Sequence, residues 1–151
     1  RKEARASAEI LQFLELQRIN GRLEAGVRVT GRVVSHDERL QRTQVDLHVD
    51  VLTRPLVGRL APGDSVRLRS RAGDVATATE RPQGLSIRNV LAGRIDALTR
   101  EPGTGSVEAR IALNQDHLRA RLTLAAVEEL GLEVGQEVFA LVKSVSFDGG
   151  R

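Results

Sequence analysis

One pair of short patterns occurs twice in this chain, and it limits the possible folds more than any other feature. Thr30-Gly31-Arg32-Val33 matches Ala92-Gly93-Arg94-Ile95. Pro62-Gly63-Asp64-Ser65-Val66 matches Val134-Gly135-Gln136-Glu137-Val138. The glycines of the first pair are 62 residues apart and those of the second pair 72. A self-match at such spacing marks one supersecondary unit used twice, with about ten extra residues inside the second copy.

Each unit reads as β structure, because apolar residues alternate with polar ones at the period of a strand that buries one face. Val27 to Ser35 reads as a strand. Val45, Leu47, Val49 and Val51 alternate with Asp46, His48 and Asp50, which predicts one half-buried strand. Ala61-Pro62-Gly63-Asp64 is a turn, and Val66 and Leu68 then alternate with Arg67, Arg69 and Arg71. In the second unit Val90 to Thr99 reads as a strand and Glu101 to Gly105 as a hairpin turn. Strands over Val107 to Leu113 and Leu118 to Leu122 follow. Thr123 caps a short helix, Leu124 to Leu130, that Gly131 closes. Val138 to Val145 is the closing strand. The first 25 residues differ. Ile10, Phe13, Leu14 and Leu23 recur at helical spacing, which predicts an amphipathic helix whose apolar stripe needs a partner. The fold class expected is mainly β: tandem OB-like small β-barrels with an N-terminal helix and one short helix in the second barrel. The expected divisions are 1–25 for the helix, 26–82 for the first barrel and 83–148 for the second.

Composition narrows the chemistry. The 151 residues contain no cysteine, so a disulfide scaffold, a zinc-thiolate site and a cysteine nucleophile are all excluded. His36, His48 and His117 show no metal-ligand spacing. His36 reads as a surface-loop residue. No G-x-x-x-x-G-K-[ST] loop occurs, so nothing cradles the phosphates of ATP, and no catalytic constellation follows from spacing. The expected reading is a non-enzyme. No apolar run approaches a membrane span, which predicts a soluble protein, and the charged start argues against a signal peptide. With no methionine, the chain reads as a fragment of a longer one. The net charge is only +3, and the few aromatics include no Tyr or Trp. A base-stacking nucleic-acid platform is therefore disfavoured. Arg67, Arg69 and Arg71 read as a solvated face opposite Val66 and Leu68.

One set of residues in the second unit points to anion binding. Ser86-Ile87-Arg88-Asn89 is a polar loop entering a strand, Thr123 stands at a helix start, and Lys143-Ser144 ends the closing strand. Lysine is rare here: Lys2 and Lys143 are the two among 23 basic residues. Two cations, hydroxyls and backbone N–H groups without a carboxylate suit a small tetrahedral dianion.

These motifs resemble a known family. Ser86-Ile87-Arg88-Asn89-Val90-Leu91 resembles the opening S-[AI]-R-N motif of the molybdenum–pterin-binding (Mop) domains, of the transport-associated OB (TOBE) type. Phe139-Ala140-Leu141-Val142-Lys143-Ser144-Val145-Ser146 resembles their closing strand, and Leu130-Gly131-Leu132-Glu133-Val134-Gly135 their L-G-L-x-x-G turn. Arg69 to Val75 and Glu80-Arg81-Pro82 resemble the segment before this motif in ATP-binding subunits of molybdate importers. Val33 to Arg39 resembles that region's first strand. Ser35-His36-Asp37 also resembles the switch-histidine segment of ABC ATPases.

The resemblance implies a ligand, molybdate or tungstate, held by Ser86, Arg88, Thr123, Lys143 and Ser144, with Asn89 bracing the loop. It implies no catalytic cofactor, and sites shared between two subunits or two repeats. The first unit lacks both S-[AI]-R-N and a helix, so no complete site is expected there. The implied function is the regulatory region of a molybdate importer's ATPase subunit, mediating dimerisation and feedback inhibition of import. Its partners are then a second copy, an ATPase domain and membrane permease subunits, with no nucleic acid, at the cytoplasmic face of the membrane. The alternatives are the effector-binding region of a molybdate-responsive transcription regulator, a molybdate storage protein, and an OB-fold nucleic-acid binder.

Overall fold

A computed structural model of the chain describes residues 26–47, 51–55, 60–143 and 145–148. The helix expected over 1–25 and Ser144 lie outside the described residues.

The described chain is mainly β, as the alternation requires. The first unit holds β1 (Gly26–Asp37), β2 (Arg42–Asp46), β3 (Val51–Pro55) and β4 (Ser65–Arg71). A single 3-10 turn, Ala72–Asp74, leads to β5 (Val75–Ala78). The second unit holds β6 (Asn89–Glu101), β7 (Ser106–Ala112), β8 (His117–Thr123), α1 (Leu124–Leu130), β9 (Glu137–Val142) and β10 (Ser146–Asp148). The run 45–51 is not one strand. Asp46 pairs with Val51, so its alternating residues are divided between antiparallel β2 and β3. Alternation reports which face a residue takes, not whether the chain has reversed.

The repeat is visible in the backbone. The two sheets run β10-β4-β1-β2-β3 and β5-β9-β6-β7-β8. In each, the long first strand carries a bulge at the same place, between Val33 and Ser35 and between Ile95 and Ala97. Val33 N–H donates to Asp64 O at 2.8 Å, and Ile95 N–H donates to Gln136 O at 2.9 Å. Arg32 donates to Gly63 O at 2.9 Å, and Arg94 donates to Gly135 O at 2.8 Å. Gly31 and Gly93 are required by close approach. A Cβ on Gly31 would lie 2.9 Å from Asp46 O, and one on Gly93 would lie 2.8 Å from Ala112 O.

The sheets exchange their edge strands. β5 follows the first unit in sequence but pairs with β9 of the second sheet. β10 follows the second unit but pairs with β4 of the first. A division of the chain near residue 82 thus separates the segments but not the sheets. Buried apolar side chains from both sheets, among them Val29, Val45, Leu68, Ile95, Ile111 and Val142, form one cluster.

α1 forms where its caps dictate. Thr123 Oγ1 accepts from Ala126 N–H at 3.0 Å, and Gly131 closes the helix with φ of 63°. His36, expected in a surface loop, instead lies in β1 and is half-buried. Its Nδ1 meets the Thr43 hydroxyl at 2.8 Å and its Nε2 donates to Leu60 O. The His36↔Thr43 register puts a buried hydroxyl within reach of the ring, which local sequence does not reveal.

Candidate functional site

The candidate residues gather where β6 begins and β9 ends. β6 and β9 are antiparallel, and Asn89 pairs with Val142. Asn89 and Val142 are buried, at 5% and 0% exposure. Side chains alternate along each strand, so Arg88 and Lys143, one step beyond this pair, turn to the outer face. Both are exposed. β5 extends the same row: Val75 pairs with Val142, and Lys143 N–H donates to Asp74 O at 2.8 Å. The 3-10 turn of the first unit therefore holds the backbone of Lys143 in place.

Arg88 donates to Leu85 O at 3.3 Å, which folds the 85–88 loop against its own strand. Ser86 is exposed on that loop. Among the described residues, neither Arg88 nor Lys143 forms an ion pair with a carboxylate. Two uncompensated cations therefore stand side by side on one face, each able to offer charge-assisted donors to an anion.

Thr123 stands elsewhere on the ladder. It pairs with Ser106, and Ser106 pairs with Glu101 at the other end of β6 from Asn89. Within one sheet the register thus joins Arg88, Asn89 and Lys143, with Ser86 on the adjoining loop, and sets Thr123 apart. The Thr123 side chain is already engaged as the cap of α1.

The residue that motif reading passed over as a site residue is Arg81. Its guanidinium carbon lies 4.7 Å from the centroid of the Phe139 ring, a cation–π contact. Arg81 and Arg88 both line an open cleft of about 450 Å³, with Pro82, Leu85, Ile87 and Val90 forming apolar walls. No local signal pairs Arg81 with Phe139, which is 58 residues away. The contact exists because β5 crosses to β9 and sets Ala78 opposite Phe139. No group of three or more His, Cys, Asp or Glu that would hold a metal ion occurs among the described residues. No helix among them is long and apolar enough to cross a membrane.

Comparison with known proteins meets the resemblance drawn from the motifs. Residues 85–147 match the TOBE domain. The chain is 42% identical over 129 residues to the molybdenum import ATP-binding protein ModC of Rhizobium etli, covering 85% of this chain and 36% of that protein. It is 39% identical over 140 residues to ModC of Mesorhizobium japonicum, covering 92% of this chain and 37% of that protein. With ModC of Brucella abortus the identity is 36% over 143 residues, covering 95% and 38%. The chain therefore spans little more than a third of the length of these curated relatives. Among solved structures, the cytoplasmic molybdate-binding protein ModG with molybdate bound matches with a TM-score of 0.61 at 23% identity. The match covers 83% of this chain and 96% of that one, and at this identity it speaks for the fold.

Proposed function

We propose that this TOBE-containing chain is the oxyanion-binding regulatory part of a molybdate importer's ATPase subunit. Its ligand is molybdate or tungstate. Arg88 and Lys143 supply the charge, and Ser86, Thr123 and Ser144 supply hydroxyl donors. Asn89 braces the loop where β6 begins. The observation that carries this reading is the Asn89–Val142 pairing. It sets two cations without carboxylate partners on one face. Support also comes from the similarity to ModC proteins over most of the chain.

The position of Thr123 on the ladder fits a site completed by a second copy. Two copies related by a two-fold axis would each lend what the other's sheet does not bring to the Arg88 end. The chain performs no catalysis in this reading. It acts on an ATPase domain of the whole protein, which works with membrane permease subunits at the cytoplasmic face. A ligand that binds the separated arrangement of a dimer more tightly than the closed one shifts the equilibrium away from closure. A coupling of about 1–3 kcal/mol changes turnover several-fold or more, so internal molybdate would restrain its own import.

Calorimetric titration with molybdate, tungstate and sulfate tests the site. Lys143→Ala and Arg88→Ala should each weaken molybdate binding by about tenfold or more, as expected for losing a hydrogen bond to a charged group. Arg71→Ala changes the residue that ends β4 as Lys143 follows β9, and it should titrate like the parent. Parent-like titration of both Lys143→Ala and Arg88→Ala would falsify the site.

A further inference from the structure

The cleft beneath the 81–88 segment is wider than a tetrahedral anion requires, and its walls are not those of a simple anion pocket. Arg81 and Arg88 line it, Pro82, Leu85, Ile87 and Val90 give it apolar walls, and no carboxylate lines it. Neither guanidinium forms an ion pair among the described residues. Leu85, one of its walls, is a large apolar residue at 36% exposure. The occupant that suits such a surface is acidic and apolar together.

The same chain presents that surface. The end of α1 and the turn after it expose Glu128, Glu129 and Glu133, none of them in an ion pair among the described residues. Between them stand Leu130 at 44% exposure and Val134 at 61%. Leu85, Leu130 and Val134 are three of the five large apolar residues exposed among the described residues. No residue of α1 lines the cleft of its own chain. One surface is basic with apolar walls, and the other is acidic with an apolar tip.

We infer that the acidic end of α1 from a second copy of this chain docks in the cleft between Arg81 and Arg88. Two copies about a two-fold axis make this contact twice and leave neither surface unmatched. The two guanidinium groups face the partner's glutamates. Leu130 and Val134 of the partner meet the Pro82, Leu85 and Ile87 wall. Phe139 holds the Arg81 guanidinium in position, so less side-chain freedom is lost on docking. The inference rests on the reading above that two copies associate, and it names the surfaces that do so.

The test is the oligomeric state of this chain by sedimentation velocity, with molybdate titrated in parallel. The variants are Arg81→Glu and the double variant Glu128→Arg, Glu129→Arg, each checked by circular dichroism. The parent should be a dimer, and each variant alone should dimerise about tenfold or more weakly. Mixing the two variants should restore the dimer, because the reversed cleft of one meets the reversed helix end of the other, while the second contact stays native. Misfolded variants would not recover in this way, so recovery speaks for the interface itself. A parent that is monomeric at millimolar concentration, variants that dimerise like the parent, or a mixture no tighter than either variant would each overturn the inference. A dimer with these responses that fails to bind molybdate overturns the oxyanion reading and leaves the docking intact. Molybdate binding by a monomer does the reverse.

Discussion

β4 and β9 hold equivalent places in the two sheets, yet their outer faces differ. β4 alternates strictly, with Val66, Leu68 and Ser70 buried and Arg67, Arg69 and Arg71 exposed. β9 buries Val138, Ala140 and Val142 on the matching positions, but its outer face carries Phe139 and Leu141. Leu141 is only 8% exposed and Phe139 lies beneath Arg81. One copy of the repeat has kept a solvated outer face, and the other has built a covered one beside the candidate site. A duplicated unit thus gains a function by changing what stands on its outer face, while the inner face and the anchors stay the same.

The inner faces differ too, and this gives the largest expected effect. Leu68, at 1% exposure, holds the position that Ala140 holds in the second unit. The second unit also brings Leu132 into the core from the turn after α1, with Val127 packed against it, and the first unit has no such segment. Leu68→Ala should therefore destabilise the chain by about 2–5 kcal/mol in urea unfolding, since no added segment is at hand to refill the space. A loss below about 1 kcal/mol would mean that the first unit collapses as readily as the second, and the contrast would fail.

Where the units agree, substitutions should agree. Alanine at Gly31 would bring its Cβ to 2.4 Å from Val45 Cγ1 and 2.8 Å from Leu47 Cδ2. At Gly93 the corresponding contacts are 2.6 Å to Ile111 Cγ2 and 3.3 Å to Leu113 Cδ2. Gly31→Ala and Gly93→Ala should each cost about 1–3 kcal/mol, with Gly31 the more sensitive. Thermal unfolding of the pair checks both the size and the order. If one variant melts like the parent, the two anchors are not equivalent.

The smallest effect should be a gain. Ser70 is 2% exposed, and its Oγ has no hydrogen-bond partner. The equivalent position in β9 is Val142, apolar and fully buried. Burying an unpaired hydroxyl costs free energy, so Ser70→Ala should stabilise the chain by about 1 kcal/mol in the same unfolding measurement. Destabilisation would show that the hydroxyl has a role at that position which the comparison with Val142 hides.

The sequence by itself determined the elements and much of the site. The repeated Gly-Arg and Gly-Asp/Gln anchors mark the two units because each glycine answers a local need, and those needs recur. Gly31 and Gly93 leave room for a crossing carbonyl, and Gly63 and Gly135 take positive φ in matching turns. Thr123 and Gly131 fixed α1 for the same reason, since caps act within a few residues. Arg88, Asn89 and Lys143 were legible from their motifs, and strand pairing brought them together.

What only the tertiary structure decided is which strand pairs with which. Period-two alternation says which face of a strand is buried, and it is silent on the neighbour. β5 is four residues long and β10 three, too short to carry a register signal of their own. Each finds its hydrogen-bond partners on the open edge of the opposite sheet, and that choice depends on where the whole barrel leaves backbone groups unpaired. The crossing of β5 then set Arg81 on Phe139 and Asp74 beneath Lys143. Both contacts join residues far apart in the chain, and no local pattern encodes them.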